Sequence, residues 1–262
     1  MRAFFSCLLA ALLALAPAVS SAACPARPLR AAHLEFGHYF HGGTGLEADL
    51  LAELRRRSGC RIVGEVYPRA RTWVELQNGR IDMALSVIPS PERSAIGWFL
   101  PYEQGRNMVL VREDSLPDGV DDMAGFLAAP TLRWATVRGF RHGHAYDDFI
   151  AELARQGRLD TVNDSLIEFD MLRRGRVAGV LASPMVYRFQ LGGDAMASLR
   201  VLDWAPGSEP IVAGLLLSRA NFNAGDARYW QGLLDGIRRD GTMLRLFLRY
   251  LPPDEARAHQ LP

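Results

Sequence analysis

The sequence predicts an α/β protein built in two units, each a sheet flanked by helices, on the strength of three observations. Strand-like and helix-like segments alternate along most of the chain. A stretch rich in aspartate and punctuated by Pro117, Gly119 and Gly125 interrupts that alternation midway, and a second α/β series follows it. The length, 262 residues with 49% hydrophobic and 23% charged composition, suits two cores of ordinary globular make-up.

Residues 29–34 read as the first strand. Leu46, Leu50, Leu51 and Leu54 share one face of a helix over 46–57, and Gly59 stops it as a C-cap glycine does. A strand over 61–66 and a helix over 72–78 follow. Gly79 ends that helix, and 81–86 is an apolar run of buried-strand length. Ser90 then supplies an N-cap and Pro91 a first-turn proline for a helix carrying Arg93. A helix start at the carboxyl end of a strand is where open α/β sheets hold anions. Residues 108–111 form another strand. Beyond the interruption come a strand over 133–137, a turn at Gly139 and Gly143, and a helix over 146–156. A short strand at 161–162, a helix ending at Gly175 and a strand over 177–182 complete the second series. The last strand covers 211–218 and precedes an amphipathic helix with Tyr229, Leu233, Leu234 and Ile237. The tail beyond Pro252 is polar and is expected to be loose.

Arg2, the apolar residues 3–16, Pro17 and the small residues Ser20, Ser21, Ala22 and Ala23 identify 1–23 as a secretory signal peptide. The expected location is therefore the periplasm. The apolar part falls short of the ~20 residues of a membrane span. Thirty basic and twenty-nine acidic residues exclude a broad electrostatic attraction to nucleic acid or acidic membranes. Cys7 belongs to the leader, which leaves Cys24 and Cys60 as an even pair in an oxidising compartment. A disulfide is the expected use, because neighbouring parallel strands bring both positions to one sheet edge. The rival is a lipidated Cys24, although Ser21 stands where an aliphatic residue is usual.

The order of several motifs resembles the type II periplasmic solute-binding proteins, specifically the family serving polar amino acid ABC transporters. The carriers are Gly45-Leu46-Glu47-Ala48-Asp49-Leu50-Leu51, Leu76-Gln77-Asn78-Gly79-Arg80-Ile81-Asp82, Pro91-Glu92-Arg93, Phe99-Leu100-Pro101-Tyr102, Val109-Leu110-Val111-Arg112, Leu172 to Val177 and Arg239-Asp240-Gly241-Thr242. The resemblance implies a two-lobed α/β fold with a ligand cleft between the lobes. Lobe 1 would comprise 24–110 and 212–262, and lobe 2 residues 111–211, with hinge strands near 108–112 and 210–215. It implies a monomer that binds a small carboxylate-bearing solute without a cofactor and presents it to a membrane permease.

Carried over position by position, the family pattern makes Arg93 a bidentate clamp for a ligand carboxylate and gives Ser86 a ligand contact. Three positions depart from the pattern. Ser183 stands where an aspartate usually accepts the ligand ammonium, Arg69 replaces a covering aromatic, and the second-lobe loop reads Arg138-Gly139-Phe140-Arg141-His142. Convergence of Arg69, Arg93 and Arg141 on the cleft would favour a ligand with more than one acidic group, or one lacking an amine. In the alternative, Arg69 and Arg141 pair with Glu35 or Asp147 or face solvent. Glu35 is also a candidate for the ligand amine. Phe36, Tyr39, Phe40 and Phe140 either cover the ligand or belong to the core.

His38 with His41 and His142 with His144 lack a companion Cys or carboxylate at ligand spacing, so no metal site is expected and these histidines read as solvated. No nucleophile elbow or Cys/His pair points to a hydrolase. Two other functions remain open: a periplasmic ligand-sensing module, and an enzyme similar to the cyclohexadienyl dehydratases. The enzyme needs a general acid, for which Glu35 and Glu168 are candidates.

Overall fold

The computed structural model describes residues 24–112, 114–192 and 199–262. The signal-peptide assignment lies outside them. Two five-stranded sheets form two lobes. In the first, β1 (Leu29–His33) runs parallel to both β2 (Ile62–Val66) and β3 (Met83–Val87), with β4 (Gly97–Gly105) at the far edge. Helices α1 (Leu46–Ser58), α2 (Arg69–Gln77) and α3 (Pro91–Ile96) connect them. Leu46, Leu50, Leu51 and Leu54 are all buried, each contributing roughly 1.5–3 kcal/mol. Gly59 ends α1 in the left-handed conformation, its N–H bonded to the Arg55 carbonyl.

The second sheet has the order β7-β6-β8-β5-β9. Its strands are β5 (Met108–Arg112), β6 (Trp134–Val137), β7 (Leu159–Val162), β8 (Gly179–Ala182) and β9 (Leu199–Leu202). Its helices are α4 (Met123–Ala128), α5 (His144–Arg155), α6 (Ser165–Arg173) and α7 (Pro184–Gln190). Trp134 is fully buried against Phe126, Phe149 and Trp204 at the centre of this lobe. The chain then returns as β10 (Ile211–Ser218), which lies antiparallel between β3 and β4 in the first sheet. Helices α8 (Ala224–Arg239), α9 (Thr242–Phe247) and α10 (Pro253–Ala258) follow.

Strand β5 pairs along its whole length with β8 and β9, so residues 108–110, placed with lobe 1 from sequence, belong to the second sheet. The chain changes sheet over 106–107 and again over 203–210. The tail is not loose. It forms α10, which buries Ala256 and sends Glu255 into a bidentate pair with Arg188 on α7. Leu29 pairs with Ile62, bringing the starts of β1 and β2 together, and Cys24 and Cys60 form a disulfide with their Cα atoms 5.3 Å apart. A sulfur in that bond cannot also carry a lipid.

Candidate functional site

Ser90 caps α3, its Oγ accepting the Arg93 N–H at 3.3 Å, and Pro91 occupies the first turn. This holds Arg93 at the carboxyl end of β3 with only 8% of its surface exposed. Its guanidinium lies 4.2 Å from the Trp73 ring centre and donates to the carbonyls of Ile88 at 2.6 Å and Gly139 at 2.8 Å. Arg69, also 8% exposed, sits between the Trp73 and Phe140 rings at 5.7 Å from each. No carboxylate pairs with either guanidinium among the described residues. Burial pulls the Arg93 guanidinium down to about 9, with Arg69 and Arg141 adding repulsion, and burial likewise lowers Arg69. Both remain charged at neutral pH, so the direction registers the cost of holding two cations in a dry cleft.

Ser86 is the one non-glycine residue with positive φ among the described residues, at 49°. That geometry turns its N–H and hydroxyl onto the Tyr102 hydroxyl, at 2.8 and 3.0 Å. Tyr102 is the extra residue of a bulge: Pro101 pairs with Gly214 and Glu103 with Ala213, leaving Tyr102 unpaired. A side chain on Gly214 would lie 2.2 Å from the Leu100 carbonyl, so glycine is required there. The bulge lets the consecutive residues Tyr102 and Glu103 both turn inward, each 1% exposed.

The lobes are closed on each other. Across the cleft, Arg93 reaches the Gly139 carbonyl, the His38 N–H donates to the Met185 carbonyl at 2.8 Å, and Phe36 meets Phe140 edge-on at 4.7 Å. Gly37, at φ 60°, packs so tightly on α7 that a Cβ would sit 2.8 Å from the Val186 Cα. The cleft between the lobes has a cavity volume of about 70 Å³ and is partly open to solvent.

Eight of the candidate ligand residues named from sequence line this cleft: Phe36, Tyr39, Arg69, Ser86, Arg93, Phe140, Arg141 and Ser183. Arg141 is 41% exposed and engages Glu92 at 3.4 Å and Asp147 at 3.6 Å, the protein-acid pairing held open as the alternative. Glu35 is turned away, beside His41 at 3.0 Å and the Gly42 N–H. Tyr39 lines the cleft, whereas Phe40 stacks on His33 in the core. Glu168 is buried in the second lobe and is absent from the cleft lining. His142 is not solvated: it is buried, bonded to the Thr136 hydroxyl at 2.8 Å, and pulled down to about 4 by burial. Among the described residues no three His, Cys, Asp or Glu side chains gather as a metal site, and no helix is long and apolar enough to cross a membrane.

Sequence reasoning missed Trp73 and Glu103. The signal for Glu103 was available as a lone acid directly after the apolar run of β4.

Two α/β lobes closed over a cleft with unpaired buried guanidinium groups define a binder of small anionic or zwitterionic molecules. The family comparison makes this particular: residues 40–253 match the bacterial extracellular solute-binding proteins, family 3, and the chain belongs to that family. Solved structures share the fold at low identity. The substrate-binding protein of an amino acid ABC transporter is 18% identical, with a TM-score of 0.65 over 86% of this chain and 98% of that one. The arginine-, lysine-, histidine-binding protein of Geobacillus stearothermophilus is 14% identical, with a TM-score of 0.70 over 86% and 95%. An ancestral amino acid-binding protein, a precursor of cyclohexadienyl dehydratase, is 17% identical, with a TM-score of 0.70 over 86% and 96%. A search of the curated protein sequences finds no match.

Proposed function

We propose that this protein captures an amino acid or a closely related carboxylate in the periplasm and presents it, as a monomer, to the permease of an ABC transporter. The observation that carries the reading is the pair Arg69 and Arg93, two guanidinium groups buried in a closed cleft with no protein carboxylate ion-paired to either among the described residues. A ligand carboxylate on Arg93 would supply the missing charge through the two-pronged geometry that guanidinium favours. Residues 106–107 and 203–210 are the hinge in this account. Ligand shifts the balance from an open to a closed form, and the closed form is what the permease reads. No covalent chemistry is required.

A thermal-shift screen of the ligand-stripped protein against the common L-amino acids and small diacids tests the proposal. Stabilisation that grows with concentration is expected for one chemical group of ligands. A flat response across the whole panel contradicts it. One observation favours a second reading, an enzyme on the same fold: Glu103 is raised to about 8 and carries a proton at neutral pH, as a general acid must. Product formation from a hydroxylated diacid by the purified protein would support that reading.

A further inference from the structure

Glu103 is 1% exposed, lines the cleft, and neither of its carboxylate oxygens makes a hydrogen bond of normal geometry among the described residues, although the Tyr39, Ser86 and Tyr102 hydroxyls lie near enough to act on its acidity; no cation pairs with it. Burying a carboxyl group in that state is costly, and such groups persist where something else completes them. The Ser183 hydroxyl, on the opposite lobe, is likewise buried in the cleft without a hydrogen bond of normal geometry. The Tyr39 hydroxyl neighbours both, close enough that Glu103 and Ser183 each act on its acidity. Arg69 and Arg93 line the same space. Two guanidinium groups without acids and one carboxyl without a cation are the charge complement of a molecule carrying two carboxylates and one ammonium.

We infer that Glu103 accepts the ammonium group of the bound solute, with Ser183 completing the subsite, and that the solute is an acidic α-amino acid whose carboxylates lie on Arg93 and Arg69. The inference rests on the amino-acid reading above and narrows it. It places the ammonium partner on the hinge-proximal strand β4 of the first sheet rather than at the end of β8. It also frees Ser183 from needing a charge.

A proton balance follows. In the empty cleft, burial first and the neighbouring Glu47 second push the Glu103 carboxyl up to about 8, so it is neutral at pH 7. The groups facing it are Glu47 from α1, Tyr39 from the turn before α1, Ser86 from β3 and Tyr102 from β4, while Arg69 from α2 lines the same cleft. Glu47 is engaged by His33 at 2.7 Å. An arriving ammonium favours the carboxylate, and Glu103 then gives its proton to solvent. A diacid without an amine would leave Glu103 protonated as a donor and release nothing.

Calorimetry of the ligand-stripped protein at pH 7 with L-glutamate, L-aspartate, glutarate and succinate, in phosphate and in Tris, tests this. The amino acids should bind at least about 30-fold more tightly than the diacids, the loss expected when one partner of a buried charge pair is removed. Close to one proton should be released per amino acid bound, seen as a buffer-dependent heat. Glu103→Gln, nearly isosteric, should abolish both the discrimination and the release. Diacids binding as tightly as amino acids, or L-glutamate binding without proton release, would overturn the inference using wild-type protein alone. Tight binding of L-arginine or L-glutamine with L-glutamate silent would also overturn it, while leaving the amino-acid-binding reading intact. Silence of every amino acid and diacid would remove both.

Discussion

Glutamine at position 103 keeps the shape of the side chain and removes its titration, which exposes the cost of burying that carboxyl in the empty protein. The folded value is about 8 against 4.5 for an ordinary glutamate. Between those limits the folded state holds a proton that the unfolded state has released, so stability falls as pH rises through the window. At about 1.4 kcal/mol per pH unit, the fall from this one group between pH 6.5 and 8 is about 1.6 kcal/mol, tapering as pH approaches the folded value. His142 acts in the opposite sense, because its value is pulled down to about 4 and it must be charged to unfold below 6.5. Glu168, raised well above its ordinary value by burial, adds a fall of the same sign as Glu103. Both contributions are shared by the two proteins and cancel in the difference. Urea unfolding of ligand-free wild type and Glu103→Gln at pH 6.5, 7.25 and 8 should therefore show the variant gaining on wild type by roughly 1–2 kcal/mol across the series. Parallel curves would mean that Glu103 is ionised in the empty cleft, and the proton release argued from it would fail.

Arg93→Ala should weaken ligand binding by about 2–5 kcal/mol, and Arg93→Lys should fail to restore it, because an ammonium cannot reproduce the two-pronged contact or the stack on Trp73; calorimetric affinities near wild type for both variants would put the ligand carboxylate elsewhere. Reducing the Cys24–Cys60 disulfide should lower the melting temperature, with a loss of about 3–4 kcal/mol for a separation of 36 residues in the chain-entropy picture, and leave ligand preference unchanged. Thiol titration of the denatured, unreduced protein should find no free thiol. Wild-type protein should bind L-glutamate more tightly than L-lysine, because the cleft presents two buried guanidinium groups to one carboxyl; a preference for L-lysine in calorimetry would undo the charge-complement argument.

Much of this architecture is legible in the sequence where one physical signal dominates. The leucine face of α1, the left-handed Gly59 and the Ser90–Pro91 helix start each act locally, and each forms as local chemistry dictates. The Cys24–Cys60 bond was readable because parallel pairing of β1 with β2 fixes where both strands begin. Strand β4 was not readable. Pro101 speaks against a strand, and is accommodated because β4 is an edge whose ladder is already broken by the Tyr102 bulge. Missing the bulge hid Glu103, since strict alternation would turn Tyr102 and Glu103 to opposite faces. The partners of Arg141 and Glu35 and the burial of His142 depend on how loops fold back, which no period in the sequence encodes. The helix α10 lacks an apolar stripe of its own and is held by contacts with distant residues such as Arg188.

The most direct test of the central claim is a crystal structure of the protein with L-glutamate bound. Its ligand carboxylates should lie about 3 Å from the guanidinium groups of Arg93 and Arg69, and its amine about 3 Å from Glu103 and the Ser183 hydroxyl. A ligand whose amine points away from Glu103, or an Arg93 guanidinium that touches no ligand oxygen, would contradict the account.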